Sequence, residues 1–445
     1  MMKNSNGTPD HRVGTLPAAR GFVPALEGLR AMAAFAVLTT HVAFQTASST
    51  GSAIHRVWGR MDLSVAVFFA LSGFLLWRVH ALHARSGAPG TARPARTYLR
   101  SRLVRIMPAY LLLVAAAFLL LPQNASSPLT TWTANLTLTQ VFVPDSLAEG
   151  LTHAWSLSVE MTFYLVLPLL WWALARLRGA AARWRIPVIA GVGVLSLGWA
   201  LVPWYELGLP ERLNDQILPP AFASWFAAGM ILAELVAAPQ GRMAALARHR
   251  HARWGWWALA AAAFLASTVP QWFTEGFVHP SGPEFAARTA LGAAVAFFLL
   301  APVVLAPEGQ RFAVLGSGPV TMLGRWSYGV FLWHVLVLHF AFQIAFVPMF
   351  SGRMLEIWLL TAAVSTVIAA VSYSLVEEPS RRWLSPRRDP GALPVSDGRS
   401  DDGADDRDVR AEDRSDDDNA PTDGTPTDGQ PAANPAQTSP NTVAT

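Results

Sequence analysis

The sequence predicts an all-α, polytopic membrane bundle of about ten transmembrane helices followed by a disordered C-terminal tail, and three observations lead there. Of 445 residues, 52% are hydrophobic, 18 are Trp and only 14% are charged, far from the balance of a soluble globular chain. Apolar stretches of about 17 to 23 residues recur along most of the length, each enough to cross roughly 30 Å of hydrocarbon as a helix. Arg and Lys collect in alternate connecting segments, 25 on one side against 5 on the other, as real crossings require under the positive-inside rule. That rule places both termini in the cytoplasm and the chain in the inner cell membrane.

In chain order, residues 1–23 form a cytoplasmic N-terminal segment and residues 24–383 the membrane domain. The expected spans are 29–47, 63–79, 104–121, 154–175, 186–204, 217–237, 254–272, 287–306, 324–347 and 355–376. The third contains Pro108 in its first turns, and its Arg-rich lead-in can extend it. The first is not a cleaved signal peptide with a site at Ala47-Ser48, because cleavage would break the charge alternation. Residues 384–445 form an acidic cytoplasmic tail. From Pro386 onward it carries 14 acidic and 6 basic residues, and Pro421-Thr-Asp-Gly is echoed at Pro426-Thr-Asp-Gly. Such a composition buries too little apolar surface to offset its ordering entropy.

The absence of cysteine excludes disulfides, iron-sulfur clusters, thiol nucleophiles and thiolate metal sites. No Walker loop, glycine-rich dinucleotide fingerprint or His-Glu-x-x-His occurs, so no metal is expected. The arginine clusters alternate with crossings instead of forming a continuous stripe, which argues against nucleic acid as a partner. Chemistry therefore belongs to the membrane bundle, where ionisable groups are costly and mark pathways or reaction sites. Arg30 and His41 are the first such pair. Eleven residues on a helix come to about 20° past three turns, so both side chains share a face with roughly 16 Å of rise between them. Arg30 also sits where topology signalling alone accounts for a cation. Glu27, three residues earlier, faces the same way and can orient its guanidinium. Glu160 lies about seven residues inside the fourth span and His334 ten residues beyond Gly324 in the ninth. A structural hydrogen bond to a neighbouring helix is the competing reading for each.

Five polar islands interrupt the apolar pattern: ALEGLRAMAAFAVLTTH at 25–41, FFALSGFLLWR at 68–78, YLRSRLVRIMPAY at 98–110, HAWSLSVEMTFYLVLPLL at 153–170 and LGRWSYGVFLWH at 323–334, with a closing VEEPSRRW at 376–383. In this order they resemble the acyltransferase-3 family of integral membrane acyltransferases over residues 24–383. The resemblance implies O-acyl transfer from acyl-CoA, with acetyl-CoA the expected donor, to a hydroxyl of a sugar-containing acceptor such as a cell-surface glycan, a glycolipid or a glycosylated natural product. Arg30 and His41 stand at that family's Arg/Lys-x10-His motif, which makes His41 the catalytic group. An imidazole suits that task, since its ordinary pKa lets it take the proton of a hydroxyl near neutral pH. RLVR matches an Arg-x-x-Arg element, so Arg102 and Arg105, on one helix face, are expected to hold the phosphates of the donor with Arg30. Topology and lipid headgroups are the alternative for that pair. Glu160 is expected to orient His41 or to hold the acceptor, and His334 to support them. Ser72-Gly73 matches a family signature, yet small residues there also permit close helix packing. No Gly-x-Ser-x-Gly elbow surrounds Ser72. Glu378-Pro379 is read as the end of the last helix. A proton-coupled transporter or flippase of a polar or glycosylated solute, using His41, Glu160 and His334 as relay or ligands, is the competing function.

Overall fold

Each of the ten apolar segments is long enough, and free enough of helix breakers, to satisfy its backbone internally, which lipid demands. In the computed structural model all ten are helical. The structure describes residues 21–85, 94–238, 252–276, 278–307 and 310–384. The expected tail from residue 385 on, and residues 1–20 of the N-terminal segment, lie outside them. In order the helices are α1 (Pro24–Gln45), α2 (Ala53–Gly59), α3 (Val65–Arg85), α4 (Ala95–Leu120), α5 (Leu129–Leu136), α6 (Trp155–Leu174), α7 (Arg185–Leu197), α8 (Ala223–Ala237), α9 (Ala252–Ala266), α10 (Gly282–Val304), α11 (Gly318–Ile344), α12 (Met354–Ser372) and α13 (Glu378–Leu384). No strand occurs among the described residues.

Among those residues eight helical stretches are long and apolar enough to cross a membrane, against the ten expected. The two outside the set are α1 and α9. The first has 22 residues, but Glu27, Arg30 and His41 dilute its apolarity. The second has only 15 residues, short of the usual crossing length of about 20. Two further features concern helix ends. α4 begins at Ala95, so the arginine run belongs to the helix and Pro108 lies within it. At the other end of the chain, α12 passes through a π-helical turn, Tyr373–Glu377, into α13. Glu378-Pro379 thus opens a helical turn instead of ending the helix.

Packing follows the small residues. α3 lies along α8, α1 along α11, and α11 along α12. A Cβ on Gly73 would stand 2.3 Å from the Phe226 carbonyl oxygen, and one on Gly229 1.8 Å from that of Ala70, so the α3–α8 approach exists only because both positions lack side chains.

An ionic cluster ties α3, α7 and α8 together. Glu234, fully buried on α8, binds Arg85 and Arg185 at 2.6 Å each and accepts the Trp77 indole N–H at 2.7 Å. Arg185 is itself 1% exposed, so the pair of guanidiniums depends on that one carboxylate. Removing one partner from a buried ion pair costs about 3–5 kcal/mol, because the remaining charge loses its compensation. Glu234→Ala should therefore lower the thermal unfolding temperature in detergent sharply, whereas an unchanged transition would show that the cluster contributes nothing to stability.

Candidate active site

The polar residues singled out in the sequence fall into two adjoining groups. The first lines a cavity of about 90 Å³, several waters in size. Its wall includes Arg30, Ser72, Arg102, Arg105, Glu160 and two tyrosines, Tyr164 and Tyr328. These come from α1, α3, α4, α6 and α11, so the cavity is the place where five helices present their polar positions to one another. On α4 the three-residue spacing puts Arg102 and Arg105 on one side. Tyr328 donates to the Ile106 carbonyl at 2.8 Å, pinning α11 to α4 beside Arg105. Arg30 faces Glu27 at 3.6 Å, each side chain 18% exposed. Glu160 accepts from Ser72 Oγ and from Tyr164 Oη. Three guanidiniums and one such carboxylate leave the wall positive, a surface suited to phosphate oxygens, which the planar arginine fork binds in pairs.

The second group is a cluster of three imidazoles. The rings of His41 and His334 lie 4.9 Å apart, those of His153 and His334 also 4.9 Å, and those of His41 and His153 6.3 Å. Their tautomers follow from their partners, since a carbonyl oxygen can only accept. His334 Nδ1 lies 2.7 Å from the Phe331 carbonyl oxygen and so carries hydrogen, leaving Nε2 with its lone pair. His41 Nδ1, 2.9 Å from the Val37 carbonyl oxygen and 3.3 Å from His334 Nε2, is likewise the protonated nitrogen. The His41 Nε2 lone pair is thereby left for a reactant, the state a general base needs. His334 is fully buried, whereas His41 keeps some exposure. His41 lies four residues before the end of α1, so it sits nearer the far end of that helix than its middle.

Phe331 joins the groups. It lines the cavity, and its ring lies 5.3 Å from that of His153, 5.8 Å from that of His334 and 5.8 Å from that of Phe68. The structure thus brings Arg30, Arg102, Arg105, Ser72 and Glu160 together, and His41 with His334, whose ring neighbours Phe331 of the cavity wall. Glu160 bonds to Ser72 and Tyr164, while His41 bonds to Val37 and His334. Ser72 does more than the packing allotted to its small size. Sequence reasoning passed over His153, Tyr164, Tyr328 and Phe331. Tyr164 was findable from its position four residues after Glu160, on the same helix face. Nothing local marks Phe331 among so many apolar neighbours. No group of histidine and acidic side chains able to hold a metal occurs among the described residues.

A family model described as an acyltransferase domain matches residues 23–377. The acyltransferase MdmB of Streptomyces mycarofaciens is 27% identical over 399 residues, which covers 84% of this chain and 95% of that one. The peptidoglycan O-acetyltransferase OatA of Listeria monocytogenes is 23% identical, over 82% of this chain and 56% of its own length, so the chain spans little more than half of that relative. Nodulation protein 10 of Rhizobium leguminosarum is 25% identical over 72% of this chain and 82% of its own. No solved structure matches.

Proposed function

Since the chain belongs to the acyltransferase-3 family of membrane acyltransferases, we propose that it moves an acetyl or other short acyl group from acyl-CoA to a hydroxyl of a sugar-containing acceptor, with the chemistry at His41. The relative named as a peptidoglycan O-acetyltransferase supports both the acyl group and the class of acceptor. The carrying observation is the cavity of three arginines whose Phe331 neighbours His334, the hydrogen-bond partner of an imidazole whose free nitrogen is defined by its neighbours.

Arg102 and Arg105, with Arg30 above them, hold the donor phosphates from the cytoplasmic side, and the thioester arm extends along the cavity past Phe331. His41 Nε2 takes the proton of the acceptor hydroxyl as its oxygen bonds to the thioester carbonyl carbon. The carbon–sulfur bond then breaks, and the proton on His41 Nε2 passes to the leaving sulfur, giving ester and free thiol. While His41 carries that proton, its Nδ1–H donates more strongly to Val37 and to His334 Nε2, which steadies the cation. The apolar walls keep water from the thioester. Glu160, Ser72 and Tyr164 form the polar side of the channel through which the arm passes.

Purified protein in detergent, given acetyl-CoA and candidate glycosides, tests this directly. Release of CoA that depends on the glycoside, with acetyl ester in the product, is expected. Passage of solute across reconstituted vesicles without thiol release would establish the transporter function instead.

A further inference from the structure

The third imidazole, His153, has no place in the reaction just described, and its surroundings leave it with an unmet bond. It sits in the single helical turn Thr152–Ala154 that leads into α6 and is 2% exposed. Its Nε2 lies 3.0 Å from the Leu332 carbonyl oxygen, so Nε2 carries the hydrogen. Nδ1 is then a lone-pair acceptor, and it is buried with no hydrogen-bond partner. Leaving such an acceptor unpaired costs stability without return unless a ligand fills it. The ring lies edge-on to His334 at 4.9 Å and to Phe331 at 5.3 Å.

The two lone-pair nitrogens of the cluster, His41 Nε2 and His153 Nδ1, belong to rings 6.3 Å apart. Both nitrogens can only accept, so their partner must present two donors. Two neighbouring hydroxyls on one ring, each at a hydrogen-bond distance of about 2.8 Å from its nitrogen, supply such a pair of donors. Resting on the acyl-transfer reading above, we propose that His153 Nδ1 is a hydroxyl-binding position beside His41. The acceptor is then a vicinal diol, its reacting hydroxyl on His41 and the adjacent one on His153. A site built to bond a hydroxyl rejects the analogue lacking it, because the buried acceptor is left unpaired. His153 would thus select the position acylated without taking part in proton transfer.

The test uses full-length protein, acetyl-CoA, and methyl glycosides of glucose, galactose, mannose and N-acetylglucosamine with their monodeoxy derivatives. His153→Gln keeps a side-chain N–H for Leu332 and removes the Nδ1 acceptor; a wild-type elution profile and thermal transition confirm its folding. In wild type, removing the hydroxyl next to the acetylated one should lower kcat/KM roughly tenfold to hundredfold, a lost buried hydrogen bond, and removing a distant one should not. In His153→Gln the ratio of parent to neighbour-deoxy glycoside should collapse to about one. A ratio kept at its wild-type value in the variant overturns the proposal while leaving acyl transfer standing, as does a wild type indifferent to the neighbouring hydroxyl. Failure of wild type to acetylate every glycoside contradicts the acyl-transfer reading and this one with it. Should His153→Gln not fold, His153→Asn, which places an amide oxygen near the Nδ1 position, should retain the ratio, and its loss there would count against the assignment.

Discussion

Replacement of His41 with alanine should cut glycoside-dependent release of CoA by roughly 10²- to 10⁴-fold, the usual contribution of a positioned general base, while donor affinity stays within about twofold. The split follows from the geometry. The arginines proposed to meet the phosphates line the cavity, whereas His41 is absent from that lining and has its Nδ1 engaged by Val37 and His334. Its loss leaves the donor bound but the hydroxyl undeprotonated. His334→Ala should be milder, because Val37 still fixes the His41 tautomer when its second partner is gone. Comparable losses of donor affinity and turnover in His41→Ala would instead make His41 part of the packing that holds the cavity open.

The second large effect concerns Arg102 and Arg105. Each hydrogen bond to a charged group contributes roughly 1.5–3 kcal/mol, so alanine at either position should raise KM for acetyl-CoA roughly tenfold to hundredfold, and the double variant more. Turnover at saturating donor should change far less, since the His41 hydrogen bonds run to Val37 and His334. Lysine at the same positions should restore only part of the affinity, because it keeps the charge and loses the planar fork that binds two oxygens at once. If the pair served only to set topology, KM would be unaltered and the defect would appear as lower insertion or inverted orientation. Added salt should weaken donor binding in wild type, and less so in the double variant.

What could be read from the sequence depended on whether a signal was local. The helices were legible because each carries its own apolar length, and the arginine lead-in of α4 because a spacing of three defines a face on any helix. His41, His334 and Glu160 stood out singly, as ionisable residues in lipid do. Their partners did not, because pairing is settled by which helices become neighbours. α1 packs on α11, which brings His41 to His334 across 293 positions of sequence. Glu160 was expected to orient His41 or to hold the acceptor, and its Ser72 partner comes from α3. Arg85 and Arg185 each read as ordinary topology charges, and only the packing of α3 and α7 on α8 reveals that both depend on Glu234. His153 was visible within HAWSLSVE, but its unmet nitrogen is a property of the turn that buries it. The two spans that fell short also have local causes: α1 is made less apolar by the very residues placed at the site, and α9 is short.

The central claim is that donor and base meet across Phe331, and an experimentally determined structure of the protein with a non-hydrolysable acetyl-CoA analogue tests it most directly. The predicted result has phosphates on Arg102 and Arg105, the Phe331 ring turned aside, and the acyl carbonyl carbon beside His41 Nε2 with room for one hydroxyl between them. Phosphates bound elsewhere, or an acyl end that stays among Ser72, Glu160 and Tyr164 with Phe331 unmoved, would contradict it.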